Sequence, residues 1–76
     1  MNIKKYSSFF CELLSPIYDS IEAESFFYLI LEEHHQLKKI DLALNPDLTF
    51  SDEALQVWNS ILEQLQHQIP IQYIIG

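Results

Sequence analysis

Glu32-Glu33-His34-His35 is the one run in this 76-residue chain whose residue types and spacing could hold a metal ion. Glu32 and His35 form a Glu-x-x-His pair, the i,i+3 element of carboxylate-bridged two-metal helical bundles. Such a site takes two copies of the pair and two further glutamates. The chain has one copy, so a dimer would be needed, with Glu12 or Glu63 among the added ligands. A solvated last helical turn explains the same residues with fewer requirements, because histidines are favoured near a helix C-terminus. Metal ligation is therefore assigned to no residue.

The remaining reactive side chains point the same way. Cys11 has no activating neighbour in the sequence and sits beside Phe10 and Leu14, which reads as a buried, inert thiol. His67 falls at the end of a helical pattern and reads as solvent-facing. No serine has a plausible triad partner nearby. Trp58 could anchor an interface, but its spacing from Leu55, Leu62 and Leu65 reads as core. Catalytic and cofactor-binding residues are likewise assigned to none. Gly76 is the single glycine, so a glycine-rich phosphate loop or dinucleotide fingerprint cannot form in this chain.

Four lysines and no arginine face eleven acids, a net charge of −7. The basic residues are two isolated pairs, Lys4-Lys5 and Lys38-Lys39. Phosphate recognition needs clustered Lys and Arg, so direct nucleic-acid binding is not expected. An acidic surface suits solubility or a basic partner protein. Cys11 is the only cysteine, which excludes an intrachain disulfide and favours a reducing, cytoplasmic home. The most apolar run, Phe26 to Leu31, is far short of the ~20 residues of a membrane helix. At 49% apolar and 13% aromatic, the chain can pack one small domain.

Periodicity supplies the elements. Ile3, Tyr6, Phe9, Phe10, Leu13 and Leu14 form an apolar stripe on a first helix capped by Asn2. Pro16 either ends that helix or starts a further turn; Ile17 and Tyr18 extend the stripe and favour a kinked or restarted helix. Asp19 opens a second helix, with Glu22 at capping-box spacing, running to about His35. Ala23, Phe26, Phe27, Ile30 and Leu31 face the core. Phe26–Leu31 could pass for a buried strand, but its helical flanks decide for a helix, apolar nearly all round and central. Leu37 to Leu44 suggest a short third helix, stopped by Asn45-Pro46-Asp47. Leu48 and Phe50 tuck inward from a loop. Ser51 caps the best-defined helix, with Ala54, Leu55, Trp58, Ile61, Leu62 and Leu65 on its core face.

Pro70-Ile71-Gln72-Tyr73-Ile74-Ile75-Gly76 is the most informative segment. It is a β-favouring run in which Ile71, Tyr73 and Ile75 alternate with Gln72 and Ile74. The expected fold is a small all-α antiparallel bundle of four to five helices with an extended C-terminal tail. A strand that opens as the chain stops looks like the start of an absent domain. A free-standing acidic module that dimerises through its tail strands is the rival expectation.

This segment resembles the P-x-[QA]-Y-[IL]-[IL]-G signature of the HemK/PrmC family, through Pro70, Gln72, Tyr73 and Gly76. The upstream order is similar too: an early amphipathic helix, Glu22-Ala23 opening a second, then Leu62-Glu63-Gln64-Leu65 running toward the proline. In that family the signature joins an N-terminal helical domain to a methyltransferase domain. The resemblance implies residues 1–69 as a substrate-docking domain and 70–76 as the start of a linker. It implies a parent enzyme that uses S-adenosylmethionine to methylate the Gly-Gly-Gln glutamine of class 1 peptide-chain release factors. Cofactor and chemistry belong to the C-terminal domain, whose Asn-Pro-Pro-Tyr motif is not matched by Asn45-Pro46-Asp47. The implied partners are a class 1 release factor and the chain's own methyltransferase domain, with neither nucleic acid nor membrane. The family often has a basic residue near Gln64 and a glycine near Gln68; without the glycine, a less sharply defined helix end is expected.

Overall fold

The structure is a computed structural model that describes residues 1–75, without the side chain of Ile75. Five helices follow in order: α1 (Ile3–Leu14), α2 (Ser20–His35), α3 (Lys39–Leu44), α4 (Asp52–Gln66) and α5 (Ile71–Ile75). The all-α bundle expected from the periodicity is what forms.

Each of the three long helices starts where a side chain can satisfy a free backbone N–H. The Lys5 N–H donates to Asn2 Oδ1 at 3.2 Å, the Glu22 N–H to Asp19 Oδ1 at 2.7 Å, and the Ala54 N–H to Ser51 Oγ at 3.1 Å. The short α3 starts differently. There the Lys38 N–H donates to Asp41 Oδ2 at 2.7 Å, so a carboxylate inside the first turn reaches back to the residue before it.

The core is continuous. It draws Ile3, Tyr6, Phe10 and Leu14 from α1, and Ala23, Phe27, Ile30 and Leu31 from α2. Trp58, Ile61, Leu62 and Leu65 of α4, Leu42 of α3 and Phe50 of the following loop complete it. The 3–4 spacing in α1 and α4 puts these residues on one stripe each. In α1 the stripe is narrower than its sequence suggests. Phe9 and Leu13 lie on its rim, 40% and 37% exposed. Phe26 is half-buried and meets Tyr18 edge to face at 5.0 Å.

The loop after α3 closes the bundle. Leu48 and Phe50 turn inward as expected, Phe50 being buried and Leu48 packed against the core. Its backbone clamps the N-terminus: the Ile3 N–H donates to Leu48 O at 3.0 Å, and the Phe50 N–H to Met1 O at 2.9 Å. Asn2 adds a second tie, donating from Nδ2 to Pro46 O at 2.8 Å. One residue thus caps α1 and anchors the loop 44 positions away.

Three local expectations are corrected. The kinked or restarted helix at Pro16 does not form. α1 stops at Leu14, and residues 15–18 make a turn in which the Ile17 and Tyr18 N–H groups both donate to Leu14 O, at 2.9 and 2.8 Å. Pro16 lacks a donor, and the capping geometry of Asp19 then opens α2 afresh.

The extended C-terminal tail is also replaced. Ile71–Ile75 is the helix α5, closed at its start by the Tyr73 N–H donating to Pro70 O at 3.0 Å. The physical reason is hydrogen-bond supply. No neighbouring strand offers a ladder among the described residues, and a helix satisfies backbone groups within the segment. It also brings Ile71 and Ile74, three residues apart, onto one side against the core. A strand would have set them on opposite faces.

The end of α4 is sharper than the missing glycine implied. Gln68 itself takes the left-handed conformation, with φ 61°. The Gln68 N–H donates to Leu65 O at 2.9 Å, and the Ile69 N–H to Gln64 O at 3.1 Å. This is the hydrogen-bond pattern with which a glycine closes a helix, made here by a glutamine.

Candidate functional site

The residues singled out by type and spacing do not converge on one place. Glu32 and His35, the candidate metal pair, diverge in their partners. Glu32 Oε1 lies 3.9 Å from Lys38 Nζ on the surface. His35 turns inward, where its Nε2 accepts a hydrogen bond from Trp58 Nε1–H at 3.0 Å. The two rings are nearly parallel, 6° apart, with centroids at 6.1 Å. That separation is too large for face-to-face stacking and fits coplanar rings joined edge to edge. Nε2 is therefore occupied as an acceptor, and the neutral ring carries its proton on Nδ1. No group of three or more His, Cys, Asp or Glu residues with metal-binding proximity occurs among the described residues.

His35 is the residue that sequence reasoning placed wrongly. It is half-buried at the edge of the core, not free in a solvated turn. Desolvation holds its imidazole below the ordinary histidine range, and the charge of His34 pushes it the same way. Its partner Trp58 lies 23 residues away, so no local pattern could have revealed the pair. His67 is exposed, as expected. Trp58 is core, 1% exposed.

Cys11 is half-buried against the core. Desolvation pushes its thiol up, with a further push from Glu24, so the thiolate is disfavoured. Tyr6 supplies a polar contact inside the bundle: its hydroxyl donates to Asn59 Oδ1 at 2.9 Å, tying α1 to α4. Burial pushes that phenol up to about 12. No buried side-chain polar atom lacks a partner among the described residues.

Two open grooves lie on the surface of the described residues. One, of about 370 Å³, lies between the end of α2, the outer face of α4 and α5, with His34, Val57, Ser60, Gln64 and Ile74 on its walls. The other, of about 400 Å³, runs along α2 past Ile21, Ser25 and Tyr28. Its far wall is Lys39, whose Nζ donates to Glu24 Oε1 at 3.1 Å and sits 5.7 Å from the centre of the Tyr28 ring. The hydrogen bond to Glu24, then its charge, raises the Lys39 ammonium above the usual lysine range. Pro70, Gln72 and Tyr73 line neither of these two grooves. Pro70, Gln72 and Tyr73 are exposed, Tyr73 at 78%, while Gly76 lies outside the described residues. No helix among the described residues is long and apolar enough to cross a membrane.

Residues 10–76 match the family described as PrmC N-terminal domain. The chain belongs to that family. It is also 51% identical, over all 76 of its residues, to a protein from Flavobacterium psychrophilum named release factor glutamine methyltransferase. The chain spans 27% of the length of that relative. No solved structure matches it. The family match begins within α1 and takes in α2 to α5.

Proposed function

We propose that this PrmC N-terminal domain docks the protein substrate of a release factor glutamine methyltransferase. The observation that carries the reading is the full-length match of this chain to 27% of a protein bearing that name. In this reading residues 1–69 are the docking domain, and residues 70–76 begin the linker to the methyltransferase domain. The parent enzyme transfers a methyl group from S-adenosylmethionine to the side-chain amide nitrogen of the glutamine in the release factor's Gly-Gly-Gln motif. It does so in the cytoplasm.

The residues present do not suit that cofactor. A nucleotide-type cofactor is usually held by backbone N–H groups in a glycine-rich turn before a helix, and the only glycine is Gly76. Cofactor binding and catalysis are accordingly assigned to the methyltransferase domain, and the docking domain raises the local concentration of substrate at that site. Its net charge of −7 favours a basic partner surface and fast encounter at low salt. The rival dimer through tail strands loses its pairing edge, because Ile71–Ile75 is helical.

A graft tests the reading. This chain replaces the matching segment of the Flavobacterium psychrophilum relative, and methylation of a class 1 release factor is followed. The graft is expected to keep kcat/KM within a few-fold of the parent. Deletion of the segment is expected to raise KM while S-adenosylmethionine binding survives. A deletion that leaves KM unchanged refutes the docking role.

A further inference from the structure

The pair His35 and Trp58 has a property that packing alone does not require. It is a single hydrogen bond whose acceptor is a titratable nitrogen, and it joins the last residue of α2 to the middle of α4. Phe50 covers both partners, with its ring 5.3 Å from His35 and 5.2 Å from Trp58. Phe50 also belongs to the loop that holds Met1 and Ile3. Three parts of the fold therefore meet at this bond: the end of α2, α4 and the clamp on the N-terminus.

We propose that the Trp58–His35 hydrogen bond, roofed by Phe50, is an acid-released latch between the end of α2, α4 and the N-terminal clamp. A proton from solvent adds to the Nε2 lone pair of His35 and forms a new N–H bond. The acceptor becomes a donor, and it then faces the Trp58 indole N–H across 3.0 Å. Two donors cannot share that position. The imidazolium also loses hydration beneath Phe50. Because His35 is half-exposed, its ring can rotate outward and regain water, which leaves the indole N–H without its partner and Phe50 without its floor.

The surroundings do little to oppose this. From α4 the ring meets Trp58, and from the loop it meets Phe50, neither of them charged. Tyr6 of α1 packs on both of those residues, and its phenol stays neutral throughout the acid range. On α2 itself, His34 is the titratable group that acts on His35, and its charge disfavours a second one. Among the described residues, Glu32 pairs with Lys38 and Glu24 with Lys39.

The direction of the pH dependence follows from linkage. His35 binds its proton less readily when folded than when unfolded. The unfolded chain thus takes up more protons near pH 6.5, the ordinary histidine value, and stability rises with pH there. The latch is fully closed above that value. It is lost as pH falls through the lower folded value.

The test uses the 76-residue chain, isotopically labelled, titrated by NMR from pH 7.5 to 5.0. His35 is expected to titrate below the ordinary histidine value, and the single indole N–H resonance, from Trp58, is expected to move with the same midpoint. The thermal midpoint is expected to fall by about 4–8 °C across His35 protonation, the shift of one lost hydrogen bond in a domain of this size. His35→Gln keeps an acceptor but cannot titrate, so the fall across this window shrinks, whereas His67→Gln retains it. An indole resonance that stays still while His35 titrates overturns the latch. So does a His35→Gln protein that melts with the same pH dependence as the parent. Should that variant fail to fold, the parent's indole titration decides the matter.

Discussion

Phe27→Ala is the sharpest probe of the packing that holds this domain together. Phe27 is fully buried and lies at the meeting point of three helices. Its ring is 5.4 Å from Phe10 of α1 and 4.9 Å from Trp58 of α4. Truncation removes the transfer free energy of the ring and leaves a cavity that these neighbours cannot fully fill, a loss of about 3–5 kcal/mol. A domain of 76 residues has roughly 4–11 kcal/mol in total at the usual stability per residue. The substitution therefore removes a large part of the whole and brings the chain close to unfolding. Urea denaturation followed by the fluorescence of Trp58, the only tryptophan, reads the effect directly. With a slope of about 1 kcal/mol/M for a small protein, the midpoint is expected to fall by about 3 M or more. Ile21→Ala, on the same helix but at a position 79% exposed, is the control and should change stability by less than about 0.5 kcal/mol. A Phe27→Ala midpoint within about 1 M of the parent would falsify the claim that α2 packs centrally through this ring.

Two further substitutions test the helix ends. Asn2→Ala removes both the cap on α1 and the tie to Pro46, and is expected to cost about 1–2 kcal/mol in urea denaturation. A loss confined to a few tenths would mean that the N-terminal clamp does not depend on this side chain. Gln68→Gly relieves a left-handed residue, worth about 1–2 kcal/mol, against the greater freedom of glycine in the unfolded chain, worth about 0.4–1. A net gain of about 0.5–1 kcal/mol is expected, and a clear loss would show that the left-handed geometry at position 68 is not kept in solution.

The elements most legible in the sequence are those where cap and periodicity agree. Ser51 with the run Ala54 to Leu65 could be read as α4 with its core face, because both signals are local. α2 was legible despite being apolar on several sides, since its flanks carry acids and no turn residue interrupts them. The inward turn of Leu48 and Phe50 followed from apolar residues set in a loop with no other use for them.

The misreadings have physical causes as well. At Ile71–Ile75, β propensity is a weak local preference, and it yields where no strand is present to pair with. At Pro16 the apolar stripe continued past a residue that ends the helix, and backbone chemistry outweighed the pattern. Gln68 adopts a conformation usually left to glycine, which residue type alone could not disclose. His35 was opaque because its role comes from Trp58 and Phe50, both brought to it only by the folded chain. The resemblance to the HemK/PrmC family was read from Pro70, Gln72, Tyr73 and Gly76, and the family match covers residues 10–76.

Isothermal titration calorimetry of the 76-residue chain, against a class 1 release factor and separately against S-adenosylmethionine, tests the docking role most directly. The account predicts heat with the release factor, weakening as salt rises, and none with the cofactor. Micromolar binding of S-adenosylmethionine, or no measurable interaction with the release factor at low salt, would contradict it.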